Sequence, residues 1–272
     1  MRVAGFYVAG VDAGSTYTKA ALVDDEGNLV ATAILMTGVK IVEAARKVYA
    51  EVLRQTGVTE DRVKFLVGTG YGRYNTTFGH LQVTEISCHA KGAHYLFPNT
   101  RTVLDMGGQD TKAIRINERG EVIDFCMNDK CAAGTGRFIE GAAKVLGLSL
   151  KEVGELSLKG KKPVKISSTC AVFAETETME QLAWGNSVED VLYGVHVSMA
   201  TRSIGLLRRV GIVPELTFTG GVSQNVGMVK ALEEQLNMKI NTSPLTMYCG
   251  AIGAALFGLE KLRAAQEVKV KR

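Results

Sequence analysis

The chain has 272 residues, enough for one large domain or two of ordinary size. Its hydrophobic fraction of 46% and charged fraction of 22% are typical of a folded protein rather than a disordered one. The net charge of +4 provides no dense basic face, so we expect no nucleic-acid partner. With no apolar stretch long enough to span a membrane and no signal peptide in residues 1–10, we expect a cytoplasmic protein. In that compartment its five cysteines should be free, buried or metal-bound and not paired as disulfides.

A sequence pattern near the start of the chain returns later. The segment VDAGSTYTKAALVDDEGNLV begins at Val11, and LDMGGQDTKAIRINERGEVI begins at Leu104. The two segments align without gaps at an offset of 93 residues and share six identities, among them an aspartate two residues before a glycine. Two hairpins can look alike by chance because hairpins use few turn residues. The number of identities in register favours a duplicated domain instead.

Each copy predicts three strands joined by tight turns, and helical periodicity follows each copy. After the first copy we predict a helix from residue 41 that stops at Gly57, a strand at 63–67, and a helix at 85–96. After the second copy we predict helices at 137–146, 171–184 and 188–210, a strand at 215–219, and helices at 226–237 and 250–264. Mixed strands and helices imply an α/β fold with covered sheets. We place the domains at 1–99 and 100–272, with the last helix packing back on the first domain.

The two aspartate–glycine turns point to phosphate chemistry. A turn of small residues lets backbone N–H groups approach phosphate oxygens, and an aspartate at a strand end can hold Mg²⁺, which prefers oxygen ligands. Asp12 and Asp105 are therefore predicted to position the metal. The residues predicted to hold the phosphates are Gly14, Ser15, Thr16, Thr18, Lys19, Gly107 and Gly108.

A third glycine-rich segment, TGGVSQN, follows the strand predicted at 215–219 and precedes a helix. Paired glycines there would let a nucleotide lie against the backbone, with a helix N-terminus nearby. By itself the segment is equally consistent with a plain strand-to-helix turn. The residues of this segment predicted to contact the nucleotide are Gly220, Gly221, Gln224 and Asn225.

In combination these segments resemble the acetate and sugar kinase, heat-shock chaperone and actin superfamily of ATPases. GVDAGSTYTK is similar to its first phosphate loop, DMGGQDTK to its second, and FTGGVSQN to its adenosine loop, while residues 85–96 and 250–258 are similar to its connecting helices. The resemblance implies a duplicated, ribonuclease-H-like, two-domain fold with ATP and Mg²⁺ in the cleft between the domains. Hydrolysis requires an oriented water, for which Glu85 and Gln109 are the candidates.

Two of the five cysteines lie just before predicted helices. Cys131 stands in NDKCAAGTGRF and Cys170 in SSTCAVFAE, and a thiolate is favoured at a helix N-terminus. Cys88, Cys126 and Cys249 are interpreted as small buried residues. Two thiolates cannot complete a four-cysteine [4Fe–4S] site, but a symmetric dimer can supply four. Zinc held by four thiolates is the competing metal.

The two cysteine strings resemble those of one branch of the superfamily. This branch contains the activators of 2-hydroxyacyl-CoA dehydratases, the ATP-binding subunits of benzoyl-CoA reductase, and the reductases of double-cubane-cluster proteins. The resemblance implies a homodimer that shares one [4Fe–4S] cluster through Cys131 and Cys170. It also implies reduced ferredoxin or flavodoxin as electron donor, and a dehydratase-like or double-cubane-cluster protein as acceptor. The shared motifs do not select among these acceptors, and a heteromeric assembly stays open.

Two other classes of function compete with ATP-driven electron transfer. A small-molecule kinase of the sugar type would use the same nucleotide motifs but would leave the settings of Cys131 and Cys170 unexplained. An actin-like or chaperone ATPase would assemble into filaments or bind peptides and would need no metal. Elsewhere we expect the four histidines at the surface or at an interface, and Trp184 packed between helices.

Overall fold

The computed structural model describes residues 4–128, 133–166 and 171–270. In these residues the chain forms two five-stranded mixed sheets with helices, divided between two compact units. The first unit contains the chain up to Pro98, the turn Arg119–Glu121 and the chain from Tyr248 onward, and the second contains Asn99–Glu118 and Val122–Met247. Within the described part of the chain, no helix is long and apolar enough to cross a membrane.

The first unit has the strand order β3-β2-β1-β4-β5. The three strands of the first sequence copy pair antiparallel, and β1 pairs with β4, and β4 with β5, in parallel. Its elements are β1 (Tyr7–Ala13), β2 (Tyr17–Asp24), β3 (Leu29–Met36), α1 (Ile41–Thr56), β4 (Val63–Thr69), β5 (Leu81–Gln82), α2 (Glu85–Leu96) and α8 (Cys249–Val270).

Helices cover both faces of this sheet. The apolar side of α1, including Ala45 and Val48, packs on one face, and α8 packs on the other through Ala255 and Leu259. Strands β1 and β2 are buried along nearly their whole length, as expected for a sheet covered on both faces. Helix α8 also lies directly against α2, where a Cβ added at Gly253 would come within 1.9 Å of the carbonyl oxygen of Cys88.

The second unit repeats the same strand order as β8-β7-β6-β9-β10. Its core packs α3, α4, α6 and α7 against the sheet, with Phe138, Leu192, Met199 and Phe218 fully buried. Its elements are β6 (Thr102–Met106), β7 (Thr111–Ile116), β8 (Val122–Asn128), α3 (Gly136–Leu146), α4 (Leu150–Ser157), α5 (Ala171–Ala183), α6 (Val188–Val210), β9 (Leu216–Thr219), α7 (Val226–Leu236) and β10 (Ile240–Asn241).

The duplication predicted from the sequence is thus present in the topology. In the first unit Asp12 pairs with Lys19 on β2 and with Thr69 on β4, and in the second unit Asp105 pairs with Lys112 on β7 and with Thr219 on β9. The predicted α/β fold with two equivalent halves is confirmed.

Several local predictions were wrong. Helix α4 was not predicted, although Ser149 and Glu152 form a capping box at its start. Trp184 is 71% exposed instead of packed between helices. His89 and His196 are buried, because each lies on the core-facing side of a helix. The last helix extends to Val270, beyond the predicted end at residue 264.

Candidate functional site

The carboxylate of Asp12 is the centre of the candidate site in the first unit. Asp12 lies near the end of β1, is 4% exposed, and has the Lys19 Nζ and the His89 Nε2 each 3.9 Å from its Oδ2. The turn that follows β1 (residues 14–16, called here the first turn) leads into β2. The strand end therefore presents a buried carboxylate beside a turn of small residues.

Two glycines hold this carboxylate from either side. A Cβ at Gly70, where φ is +90°, would lie 2.5 Å from Asp12 Oδ1, and a Cβ at Gly250 would lie 2.6 Å from Oδ2. Gly250 is in the first turn of α8, whose N-terminal end favours a negative charge. The Asp12 carboxylate thus occupies a space that side chains at these two positions would fill.

Asp105 is the centre of an equivalent half-site in the second unit. Thr219 Oγ1 donates a hydrogen bond of 3.2 Å to Asp105 Oδ1, and Lys112 Nζ lies 3.5 Å from Oδ2 and 2.8 Å from Asp110. Gly220 has a φ of +84°, and a Cβ there would lie 2.7 Å from Asp105 Oδ1. The second turn (residues 107–110) joins β6 to β7, as the first turn joins β1 to β2.

The equivalence of the two halves extends to a dipeptide that the sequence interpretation missed. Thr69-Gly70 ends β4 as Thr219-Gly220 ends β9, and in each case the glycine adopts a positive φ against the aspartate of the neighbouring strand. The signal was present in the sequence as a Thr-Gly pair after an apolar run. It lies outside the two aligned segments.

The hydroxyl groups predicted to bind phosphate divide into two kinds. Thr18 is fully buried, and its Oγ1 lies 2.9 Å from Thr37 Oγ1, which donates to the Gly14 carbonyl oxygen at 2.8 Å. Thr18 therefore supports the first turn from behind. Thr16 Oγ1 is buried and has no hydrogen-bond partner among the described residues, while Ser15 is half-buried in the same turn.

The two candidates for orienting water lie in different settings. Glu85 is the first residue of α2, and its carboxylate accepts a 2.8 Å hydrogen bond from Arg73, whose guanidinium also donates to the Gly70 carbonyl oxygen at 3.2 Å. Glu85 is thus linked to the glycine that contacts Asp12. Gln109 is exposed in the second turn, next to Gly108.

The third glycine-rich segment is a short 3₁₀ turn at Gly221–Gln224 that leads into α7. Asn225 caps α7 by accepting from the Met228 N–H at 3.0 Å, and Gln224 donates to the Ser243 carbonyl oxygen at 2.9 Å. Both side chains therefore hold the segment in place. A Cβ at Gly221 would meet no atom within 4 Å, so open space lies beside this backbone.

The two cysteines predicted to hold the cluster, Cys131 and Cys170, lie outside the described residues. Cys88 and Cys249 are buried, and burial raises the pKa of the Cys88 thiol to about 12, so that it stays protonated near neutral pH. Cys126, on β8, is half-buried. Within the described ranges, no group of three or more His, Cys, Asp or Glu side chains is placed to hold a metal.

Comparison with known proteins agrees with this geometry. A family model described as the BadF/BadG/BcrA/BcrD ATPase family matches residues 9–258. The chain is 45% identical over 256 residues to the (R)-2-hydroxyglutaryl-CoA dehydratase activating ATPase of Acidaminococcus fermentans, with 94% of this chain and 98% of the relative covered. It is 37% identical over 220 residues to one of the subunits of the Thauera aromatica benzoyl-CoA reductase, with 79% and 78% covered.

Solved structures give the same result. The activator of 2-hydroxyisocaproyl-CoA dehydratase from Clostridium difficile with bound ADPNP superposes with a TM-score of 0.91 at 36% identity, covering 96% of this chain and 97% of that one. A ROK family glucokinase from Streptomyces griseus superposes with a TM-score of 0.60 at 14% identity, covering 93% and 99%, which indicates a common fold alone. The resemblance drawn from the sequence motifs is confirmed.

Proposed function

The chain belongs to the BadF/BadG/BcrA/BcrD ATPase family, and we propose that it hydrolyses Mg–ATP to drive an electron at low potential from a subunit-bridging [4Fe–4S] cluster into a partner protein. The observation that carries the ATPase part is the pair of equivalent half-sites, each with a buried aspartate, a lysine and a positive-φ glycine. Two such half-sites provide the donors and the carboxylates that a polyphosphate with its metal requires.

In this proposal the half-site of each unit supplies contacts for Mg–ATP. The backbone of the first and second turns and the Thr16 hydroxyl donate to the phosphates, because small residues let the backbone approach closely. Asp12 and Asp105 accept from the hydration shell of Mg²⁺, which keeps several waters in most protein sites. The surroundings of Asp12 (called here the Asp12 cradle) fit this role, since Gly70 and Gly250 leave the space beside the carboxylate free of side-chain atoms.

We assign the orientation of the attacking water to Glu85. Its ion pair with Arg73 links it to the backbone of Gly70 and so to the position of Asp12. A carboxylate held in this way can orient a water molecule by accepting a hydrogen bond from it. Gln109 then belongs to the phosphate-binding turn.

Cys131 and Cys170 fit the cluster by the chemistry of their donors and by their places in the chain. Helix α3 begins five residues after Cys131, and α5 begins directly after Cys170, so both thiolates precede helix N-termini that favour negative charge. When bound, the cluster would supply the transferred electron. Thiolate sulfur is the usual ligand of such clusters, and two chains are needed to provide four.

A second copy of the chain is the expected source of the other two thiolates. The helix that follows Cys170 carries two exposed apolar residues, Phe173 at 63% and Met179 at 53%, and Trp184 directly after it is 71% exposed. At about 3.6 residues per turn, the positions of Phe173 and Trp184 fall on the same side of the helix, and exposed apolar side chains grouped on one side are typical of a surface that another protein covers. We therefore place the subunit contact at α5.

The partner is proposed from the relatives, whose names include a dehydratase activator and a reductase component. A 2-hydroxyacyl-CoA dehydratase-like protein is the proposed electron acceptor. A double-cubane-cluster protein, which would also accept an electron, is the alternative. Reduced ferredoxin or flavodoxin is the proposed donor.

Metal analysis of the anaerobically purified protein tests the proposal. We expect about four iron atoms and four sulfides per dimer, the content of one cubane. Cys131→Ser and Cys170→Ser should lose the iron, whereas Cys126→Ser, a matched change in the neighbouring strand, should retain it. Asp12→Ala should keep the iron and lose Mg–ATP hydrolysis. Zinc in place of iron, or iron retained in both ligand variants, would refute the electron-transfer role.

A further inference from the structure

The imidazole of His89 lies buried in the Asp12 cradle, where the proposed reaction has so far given it no part. His89 is 5% exposed, and its Nε2 lies 3.9 Å from Asp12 Oδ2. A Cβ at Gly250 would lie 2.9 Å from this nitrogen and 2.6 Å from the carboxylate oxygen. The glycine thus leaves the imidazole and the carboxylate facing each other.

The backbone that carries His89 is held in place by close packing of α2 against α8. On one side of His89, a Cβ at Gly253 would lie 1.9 Å from the carbonyl oxygen of Cys88, and on the other side a Cβ at Gly92 would lie 2.1 Å from the carbonyl oxygen of Cys249. The two helix backbones are therefore in direct contact before and after His89. A side chain on such an element is positioned more precisely than one on a loop.

The second half-site holds its aspartate in a different way. Thr219 Oγ1 donates to Asp105 Oδ1 at 3.2 Å. Thr69 is the equivalent threonine of the first unit, and its buried hydroxyl makes no hydrogen bond to Asp12 in the described part of the chain. In the first unit the group that faces the aspartate from outside the hairpin is instead the imidazole of His89.

Lys19 and His89 act on the Asp12 carboxylate differently, although each nitrogen lies 3.9 Å from Oδ2. The lysine ammonium is a point charge on a flexible stem, so it offsets the charge of the carboxylate without fixing its direction. The imidazole is a rigid ring on a fixed helix. At 3.9 Å its effect on Oδ2 is electrostatic and not that of a direct hydrogen bond.

We propose that His89 is a positioning residue that keeps the Asp12 carboxylate directed toward the hydration shell of Mg²⁺. This inference rests on the proposed function, in which Asp12 accepts from that shell. It assigns to α2 the part that the Thr219 hydroxyl has in the second half-site. Groups that orient the side chains around a metal typically change its affinity by about 10–100-fold when they are removed.

Binding of Mn²⁺ to the full chain with ADPNP tests the inference without reference to hydrolysis. Mn²⁺ takes the same oxygen ligands as Mg²⁺, and unbound Mn²⁺ is measured by electron paramagnetic resonance. In His89→Leu, which removes the ring nitrogens, we expect the Kd for Mn²⁺ to rise about tenfold. His89→Gln, which keeps an N–H at similar reach, should restore most of the affinity. Affinity for ADPNP in EDTA should be unchanged in both variants, because His89 acts on the metal site.

His94→Leu is the matched control, because His94 lies on the same helix and faces Gly120 instead of the Asp12 cradle. It should keep the wild-type affinity for Mn²⁺. If His89→Leu does not fold, His89→Asn replaces it, since its shorter amide should bind Mn²⁺ more weakly than the glutamine variant.

Three results would overturn the inference: wild-type Mn²⁺ affinity in His89→Leu, an equal loss in His94→Leu, or an equal loss of ADPNP affinity in EDTA. Equal affinities in His89→Asn and His89→Gln would overturn it as well. Asp12→Ala separates this inference from the proposed function. A loss of Mn²⁺ affinity in Asp12→Ala beside an unaffected His89→Leu rejects His89 alone, whereas wild-type affinity in Asp12→Ala rejects the proposed metal site too.

Discussion

The substitution Gly250→Ala separates the function of the Asp12 cradle from the stability of the fold. Alanine is favoured over glycine in a helix by about 1 kcal/mol, so the change should not weaken α8 itself. The added Cβ would lie 2.6 Å from Asp12 Oδ2 and 2.9 Å from His89 Nε2. Both atoms belong to side chains and not to the backbone, so the clash is expected to displace the carboxylate and the imidazole before it displaces α8.

The consequence for ATP hydrolysis follows from the distance. Ordinary contact begins near 3.4 Å, so the Asp12 oxygen must move from 2.6 Å by about 0.8 Å. A displacement of about 1 Å in a positioning group can lower a rate about 100-fold. We therefore expect Gly250→Ala to reduce kcat/KM for Mg–ATP by about that factor and to raise the Mg²⁺ concentration required for half-maximal rate.

The assay is phosphate release at several Mg²⁺ concentrations, combined with thermal unfolding. Gly205→Ala is the matched control, because Gly205 lies inside α6 and a Cβ there meets nothing within 4 Å. It should raise stability slightly and leave hydrolysis unchanged. If Gly250→Ala folds like the control and hydrolyses Mg–ATP at the wild-type rate, the Asp12 carboxylate does not position the metal.

The remaining predictions concern helix packing, acid stability and the attacking water. Gly253→Ala places a Cβ 1.9 Å from the backbone oxygen of Cys88, and a backbone atom cannot rotate away as a side chain can. Denaturant unfolding should therefore show that the free energy of unfolding is lower by about 3 kcal/mol. Burial lowers the pKa of His196 from 6.5 to about 4, so between these pH values the unfolded chain binds a proton that the folded chain does not. The free energy of unfolding should therefore fall as the pH falls. In urea unfolding, the decrease from pH 7 to pH 5 should be larger by about 2 kcal/mol in the wild type than in His196→Gln. In steady-state kinetics, Glu85→Gln should lower kcat about 100-fold, whereas Gln109→Ala should mainly raise KM. The opposite pattern would assign the orientation of the attacking water to Gln109 instead of Glu85.

The fold could be predicted from the sequence because the two copies of the duplicated unit share the same residue types at their turns. Aspartate and glycine recur where each first strand meets its turn, and a turn accepts few residue types. Contacts between elements distant in the chain gave no such signal. Thr69-Gly70 was missed because its role depends on β4 lying parallel to β1, a pairing that local periodicity does not reveal.

The exposure of individual side chains was the other point at which the predictions from the sequence were wrong. His196 is fully buried on the core-facing side of α6, and its Nδ1 is hydrogen-bonded to the Leu192 carbonyl oxygen one turn earlier at 2.8 Å. Trp184 is exposed at the end of α5, although its size favours burial. In the proposed dimer a second chain covers this residue, and a single sequence does not specify where such contacts form.

The most direct test of the central claim is the electron paramagnetic resonance spectrum of the reduced, oxygen-free protein in Mg–ATP and in Mg–ADP. We predict the signal of a reduced [4Fe–4S] cluster whose shape or intensity changes between the two nucleotides, because the second turn, which is proposed to bind the phosphates, is hydrogen-bonded to the first residues of α3. A protein without an iron signal, or with identical spectra in both nucleotides, would contradict it.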